Sequence, residues 1–265
     1  MITFVTHYIE LTPLALKKIG VARGSYVRQK MFMPKNPEKI LDTLYRSIKK
    51  FHPKSDLILL TDATTKIAID PSIKVIRIPM ETECTDYESL KAKIYYLKHF
   101  PPKTHIIFLE WDMLLQDNLS HIFESNQDVY LTVRNLYPMP FNDGFIAVRG
   151  SQASFAHTRI FFDFLLKHYN NFTTKKYWYW YGLQLILKKI FLPVFLNTRP
   201  KKISDLTMEY KGVKIGFLDG KIYNYNSPLR LMGKFCEGKK AVHFSKSKKI
   251  SMLSYWKKYL DKPGA

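Results

Sequence analysis

Residues 105 to 115 read HIIFLEWDMLL, an apolar run that stops at Glu110 and resumes after Asp112, with Trp111 between the two acids. A carboxylate taken out of water without a partner is costly, and the usual remedies are pairing, hydrogen bonding or a metal ion. Acids two apart on a strand share a face, but past the strand end the backbone turns and their directions are free. A carboxylate pair at the lip of a sheet can hold Mg2+ or Mn2+ through oxygen ligands that the ion shares with substrate phosphates. The plainer alternative is an acid that closes the next turn or pairs with a lysine. An isolated E-x-D is too short to choose between these, so the choice falls to the elements that carry it.

Those elements alternate. ITFVTHYI (2–9) reads as a strand ending in polar Thr6 and His7, followed by a basic, glycine-containing loop (17–35). Asn36-Pro37 looks like an N-cap with proline at the first helical position, and Ile40, Leu41, Leu44, Tyr45, Ile48 and Phe51 recur at helical spacing. SDLILLTD (55–62) and IKVIRIPM (73–80) are further strands, the first ending at Asp62. Thr85 with Glu88 makes a capping-box pattern; Tyr87, Leu90, Ile94 and Leu97 then line one helical face, leaving Lys91, Lys93 and Lys98 elsewhere. THIIFLEWD, DVYLTV (128–133) and FNDGFIAVRG (141–150) follow. Such alternation predicts an α/β layered fold with a mainly parallel sheet. Ligands bind beyond the carboxyl ends of the strands in such sheets, and His7, Asp62 and Asp112 all fall at such ends.

The second half is less regular. Ser151 is expected to open a helix through His168, and WYWYGLQLILKKI (178–190) to be helical. MEYKGVKIGFLDGKIYN suggests hairpin material, turning at Lys211-Gly212 and again at Asp219-Gly220. No repeat, low-complexity linker or clear domain boundary is visible.

Composition narrows the classes. With 46% hydrophobic residues the chain is globular rather than disordered. No apolar run approaches the ~20 residues that span a bilayer, and MITFVTHYIE lacks the pattern of a cleaved signal peptide. Cys84 and Cys236 have no metal-type spacing and suit a reducing compartment, so a cytoplasmic location is expected. Lys and Arg number 42 against 22 Asp and Glu, a formal charge of +20. That field attracts nucleic acid, an anionic membrane surface or phosphorylated substrates. A basic nucleic-acid-binding protein is therefore one alternative, although no recognition motif of the usual modules appears. A sugar nucleotidyltransferase is another, but the first loop offers only Gly20 and Gly24, without a phosphate-cradling pattern. The stretch 175–195, with Lys175, Lys176, Trp178, Trp180, Lys188 and Lys189, combines rings and cations as membrane-surface helices do. Leu183, Ile186, Leu187 and Ile190 make one face that a globular core would also use.

The order of these features resembles the glycosyltransferases of GT-A fold, loosely the glycogenin-like group. Their D-x-D signature at a strand end is here Glu110-Trp111-Asp112. Their F-N-x-G-F-like stretch under the donor sugar is Phe141-Asn142-Asp143-Gly144-Phe145. Their acid-Gln pair is matched only by Gln184, with no acid beside it, and their closing His-Gly-Lys by His243 and Lys249, with Lys246 in place of the glycine. The resemblance covers about residues 1–250. It implies a GT-A-like, Rossmann-like fold with a mostly parallel central sheet flanked by helices and a less regular C-terminal half. It implies one domain, 1–265, with a nucleotide-binding half (1–135), an acceptor-side half (136–250) and a C-terminal helix or tail (251–265). The implied activity is metal-dependent transfer of a sugar from a nucleoside diphosphate sugar, a UDP-sugar by expectation, to a glycan, lipid-linked or other acceptor. Asp112 and His243 would hold Mn2+ or Mg2+, and Glu110 would contact the ribose or a ligating water. Lys246 and Lys249 would meet the diphosphate. Thr6 and His7 would line the base pocket and Asp62 would contact the nucleoside, with Lys93, Trp111 and Asn142 completing the donor site. Asp143 would take the acceptor proton or bind sugar hydroxyls, and Gln184 would hold the front face of the sugar. Singly, each has a plainer role: a satisfied core histidine for His243, surface charge for Lys249, a turn acid for Asp62, ordinary strand-end residues for Thr6 and His7, and a tight turn for Asn142-Asp143-Gly144.

Overall fold

Apolar runs bounded by polar residues become strands, and residues at helical spacing become helices, in nearly the expected places. The computed structural model describes residues 1–14, 17, 36–80, 85–134, 140–169, 182–198, 202–203, 206–226, 234–245 and 248–261. The first half runs β1 (Ile2–His7), α1 (Pro37–Phe51), β2 (Asp56–Thr61), β3 (Lys74–Arg77), α2 (Thr85–His99) and β4 (His105–Glu110). Then come a short β5 (Met113–Leu115), β6 (Val129–Val133), β7 (Phe141–Val148), α3 (Gln152–Lys167) and α4 (Gly182–Thr198). β8 (Thr207–Tyr210), β9 (Val213–Asp219), a one-turn α5 (Gly220–Tyr223), β10 (Ala241–His243) and α6 (Lys249–Tyr255) follow.

Eight of these strands form one sheet in the order β3-β2-β1-β4-β7-β6-β9-β8. β1, β2, β3, β4, β6 and β9 run the same way, and β7 and β8 run against them. The sheet is thus mostly parallel, as the alternation predicts. Its first core buries Ile40, Leu41, Leu44 and Ile48 of α1 together with β5, β10 and Met252 and Tyr255 of α6. Its second core takes Leu90 and Leu97 of α2, Phe155, Phe161 and Phe162 of α3, and Leu183, Ile186 and Leu187 of α4. The apolar face of the 175–195 stretch is therefore used internally over its described part. Trp178 and Trp180 lie outside the described residues, as do Lys175 and Lys176. Among the described residues no helix is long and apolar enough to cross a membrane.

Local signals hold with four exceptions. The Thr85–Glu88 capping box is not made on the Glu88 side, where Oε1 accepts from Lys91 Nζ at 2.9 Å and Oε2 has no partner among the described residues. Ser151 caps α3 as expected, its hydroxyl accepting from the Ser154 amide at 3.1 Å. Lys211-Gly212 makes the β8–β9 turn with both residues at positive φ, 53° and 77°, the twist a two-residue hairpin requires. Asn36 does precede the helix, but its side chain makes no cap bond, so proline at the first position alone marks that start. Asp219-Gly220 is no hairpin turn: the Asp219 carboxylate accepts from the Lys221 amide at 2.8 Å and caps α5. Lys93, expected off the packed face of α2, is buried.

Candidate active site

The reversal of β7 assembles the site. Six strands deliver their carboxyl ends to one edge of the sheet, and β7 delivers its beginning to the same edge. Leu109 lies opposite Phe145, which brings Glu110 beside Gly144. On its other side β7 slips against β6: Leu131 faces Ile146, yet Thr132 faces Asn142. Asp143, Gly144 and Phe145 are thereby looped out of that ladder, and the Thr132 hydroxyl closes the irregularity by donating to the Asn142 carbonyl at 2.6 Å. Bulges of this kind re-aim side chains beside active sites. The Asn142-Asp143-Gly144 stretch is thus a bulged strand and not a tight turn. A Cβ on Gly144 would lie 2.8 Å from Asn142 Oδ1 and 2.9 Å from Glu110 Cδ. Gly144→Ala should therefore leave thermal stability nearly unchanged, because the ends of side chains can yield. It should still displace Glu110 and weaken Mn2+ binding by roughly tenfold, the scale of losing a ligand's support; calorimetric titration of Mn2+ checks this.

A two-stranded ribbon brings in the histidine. β10 pairs antiparallel with β5, placing His243 opposite Met113, next to Asp112. The Phe244 amide donates to the Asp112 carbonyl at 2.8 Å and fixes the join. Glu110, Asp112 and His243 then form a group whose ligand atoms all lie within 4.8 Å of one another. His243 Nε2 is 2.7 Å from Glu110 Oε2 and 3.3 Å from Asp112 Oδ1. Neighbouring ligands of an octahedral ion with bonds of about 2.1 Å stand roughly 3 Å apart, so these separations suit one. Asp112 Oδ1 is buried and, among the described residues, makes no hydrogen bond beyond its 3.3 Å ion-pair contact with His243 Nε2. A cation would complete the surroundings of such a buried carboxylate oxygen, and two carboxylates with one imidazole can hold a divalent ion.

The imidazole is oriented from behind. Asn224 Oδ1 accepts from His243 Nδ1 at 2.9 Å and from Arg134 Nη2 at 3.2 Å, while its Nδ2 donates to Asn142 Oδ1. Asn142 Oδ1 also accepts from the Gly144 amide at 2.9 Å. With the Nδ1 proton committed to Asn224, Nε2 is the nitrogen turned toward the acids, which is how outer partners fix a ligating histidine. Burial alone would lower the His243 pKa; Glu110 and Asp112 outweigh it and push it up to about 9. Burial would likewise raise Asp112, but Lys249 and His243 hold its carboxyl well below the usual range. Glu110 is also held low, its burial overcome chiefly by His243.

On the α2 side a second group packs against the first. Lys93 Nζ donates to Ser89 Oγ at 2.6 Å, and Ser89 Oγ is 3.4 Å from His7 Nδ1. Burial, with the Lys93 charge, lowers His7 to about 3, so its ring is neutral. Burial also lowers Lys93, against the pull of Asp143, Asp86 and Glu110. Asp143 is raised, first by burial and then by Glu110, with Lys93 opposing. Gln184 Nε2 donates to Asp143 Oδ1 at 3.0 Å.

The structure thus brings together His7, Lys93, Glu110, Asp112, Asn142, Asp143, Gln184, His243 and Lys249. Lys249 pairs with Asp112 Oδ2 and sits 4.4 Å above the Trp111 ring, which meets Tyr8 edge-on. Asp62 stands at the end of β2, where its carboxylate accepts from Thr64 Oγ1 at 2.5 Å and the Thr65 amide at 2.9 Å. Burial would raise it; those bonds lower it further. Thr6 alternates away from His7 along β1, with Phe4 and Tyr8, and its buried hydroxyl has no partner among the described residues. It stands apart from the cluster. Lys246 lies outside the described residues. The sequence reading missed Arg134, Asn224, Ser89 and Asp86. Arg134 is the polar residue just past buried β6, and the strand-end rule that picked out His7 and Asp112 applies to it equally. Nothing local marks Asn224.

No protein-family model and no curated protein matches the sequence. Solved structures do match in fold. A glycosyltransferase involved in the glycosylation of the major capsid of PBCV-1 aligns over 97% of this chain and 98% of its own, at 11% identity and a TM-score of 0.50. The galactosyltransferase LgtC, solved with donor and acceptor sugar analogues, aligns over 99% of this chain and 98% of its own, at 8% identity and a TM-score of 0.48. The chain has the GT-A-like fold expected from its sequence: a mostly parallel central sheet flanked by helices.

Proposed function

We propose that this chain transfers a sugar from a nucleoside diphosphate sugar, a UDP-sugar by preference, to a glycan or lipid-linked acceptor. Mn2+ or Mg2+ would be held by Glu110, Asp112 and His243. The observation that carries the reading is this set at the carboxyl edge of the sheet, with Asp112 and His243 buried, Asp112 Oδ1 left with only its 3.3 Å contact to His243 Nε2 among the described residues, and His243 Nδ1 already engaged. Open α/β sheets bind ligands at that edge, and the fold shared with the PBCV-1 glycosyltransferase agrees with it. When bound, the ion would offset the negative charge that builds on the departing diphosphate.

The chain's own groups do the rest. Lys249, held between Asp112 and the face of Trp111, brings a positive charge to the lip of the site, where the diphosphate oxygens gather charge. Lys246 is assigned the same task. His7 and Asp62, at neighbouring strand ends, and the ring of Trp111 face the nucleoside, with Thr6 behind His7. Lys93, Asn142, Asp143 and Gln184 address the sugar: amide and ammonium donate to its oxygens, and the carboxylate accepts from its hydroxyls or from the acceptor hydroxyl that attacks.

Thermal unfolding with UDP, ADP and GDP, each with Mn2+ and again with a chelator, tests the nucleotide and the ion together. With UDP and Mn2+ in large excess over Kd the midpoint should rise by about 3 °C or more, and the chelator should abolish the rise. No response to any nucleotide, or the same response with the chelator, contradicts the reading. Lys249→Ala should weaken UDP by roughly tenfold, the worth of one charge-assisted hydrogen bond, and uridine much less. Equal losses for both ligands would mean that the lysine acts through Asp112 and the fold rather than on the diphosphate.

A further inference from the structure

Tyr169, just past α3, and Leu183, in the first turn of α4, meet at one oxygen. The Tyr169 hydroxyl donates to Asp86 Oδ2 at 2.5 Å, and the Leu183 amide donates to the same atom at 2.8 Å. The arrangement is built for this. Tyr169 is fully buried, and Tyr87 sets its ring edge against it with centroids 5.1 Å apart. A Cβ on residue 182 would come within 1.8 Å of the Tyr169 hydroxyl, so only glycine there lets the tyrosine reach Asp86. One carboxylate thereby joins the start of α2, the end of α3 and the start of α4. The first amides of a helix have no partner within it and favour a negative charge, and Asp86 supplies that charge to α4 from another helix.

The residue after Leu183 is Gln184, which bonds Asp143. Two turns along α2 from Asp86, on the same face, lies Lys93, whose charge acts on Asp143. We propose that Asp86 is a positioning residue: by holding the first turn of α4 against α2 it sets Gln184 against Asp143 and fixes the wall that addresses the sugar. This rests on the functional reading above. An exposed serine or aspartate at the N-cap would suffice to start the helix; a buried tyrosine, an obligatory glycine and an acid from a distant helix do more than that. Keeping an acid there has a cost, since burial, with Asp143 nearby, pushes Asp86 up to about 7 against the help of Tyr169, Leu183 and Lys93. An asparagine could accept both bonds without that cost, but would present no negative charge to Lys93.

The test compares wild type, Asp86→Ala and Asp86→Asn, first without ligand. Amide hydrogen exchange at Leu183 should be at least about tenfold faster in Asp86→Ala. The side-chain amide resonance of Gln184 should move, while the amides of β1 and β4 keep their rates. Asp86→Asn should restore most of the Leu183 protection. In turnover, Asp86→Ala should lower kcat by about tenfold or more, with UDP affinity nearly unchanged. Because the loss is transmitted through Gln184, Asp86→Ala/Gln184→Ala should be within about threefold of Gln184→Ala alone. Unchanged Leu183 exchange and Gln184 resonance, or a double variant whose loss is the product of the single losses, overturns the proposal. Should Asp86→Ala fail to fold, Tyr169→Phe loosens the same carboxylate and should move both signals in the same direction; no change in either overturns it as well. A wild type that turns over no nucleotide sugar would refute the functional reading, while the exchange and resonance data would still decide whether Asp86 holds Gln184.

Discussion

Asp112→Asn should abolish the Mn2+-dependent part of UDP binding while the protein stays folded. Asparagine keeps the shape of the side chain, and the Phe244 amide bonds the backbone carbonyl of residue 112, which the change leaves intact. What disappears is the charge of the buried Asp112 carboxylate, whose Oδ1 has only the 3.3 Å contact with His243 Nε2 among the described residues. The loss in UDP affinity should exceed about a hundredfold, the upper end of what removing only an outer partner of a ligand costs. Glu110→Gln should cost less, since Glu110 is more exposed than Asp112. Isothermal titration of UDP with Mn2+ decides it, and equal affinity in Asp112→Asn and wild type would remove Asp112 from the site. The same titration should depend on pH. An ion held there would have to displace the Nε2 proton of His243, whose pKa stands at about 9 because Glu110 and Asp112 outweigh burial. Affinity should therefore climb as pH rises toward 9 and level off above it.

Asp143→Asn should remove turnover rather than binding. Asp143 is buried, receives Gln184, and is linked electrostatically to Glu110 and Lys93. Replacing a group that handles a proton or a developing charge at the reacting centre typically costs 10²-fold to 10⁴-fold, so kcat should drop by about 10²-fold or more. UDP affinity, which the proposed function assigns to the triad and Lys249, should change little. Burial and Glu110 raise the Asp143 pKa. Activity that needs its carboxylate should thus fall, as pH is lowered, at a pH above the ordinary carboxylate range, and that limb should vanish from the residual activity of Asp143→Asn. Steady-state rates over pH, alongside UDP titrations, separate the two effects; a parallel loss of UDP affinity would make Asp143 a binding group.

Much of this was legible because its signals are local. The apolar runs of β1, β2, β4 and β6, the spacing of Leu41, Leu44 and Ile48 in α1, and Ser151 ahead of α3 each depend on near neighbours in sequence. Glu110 and Asp112 were legible as acids out of place at the end of an apolar run, and His243 only through the resemblance to a closing His-Gly-Lys; the structure brings the three within reach of one ion. The rest depends on distant partners. The direction of β7 is set by β4 and β6, and no periodicity encodes it, yet it carries Asp143 to Glu110. β5 and β10 are too short to be read as strands, though their pairing sets His243 beside Asp112. Lys93 scores as surface in any helical pattern; its burial is made tolerable by Asp143, Asp86 and Glu110, which come from elsewhere in the chain. Asn224 supplies the acceptor that the second nitrogen of His243 needs, a requirement visible only once His243 is in place.

The most direct measurement is release of nucleoside diphosphate from a panel of nucleotide sugars, incubated with the intact protein and Mn2+ and, in parallel, with a chelator. Release is expected from at least one UDP-sugar, lost with the chelator and lost in Asp112→Asn. Release from no member of the panel, or release that is equal with the chelator, would contradict the proposed function.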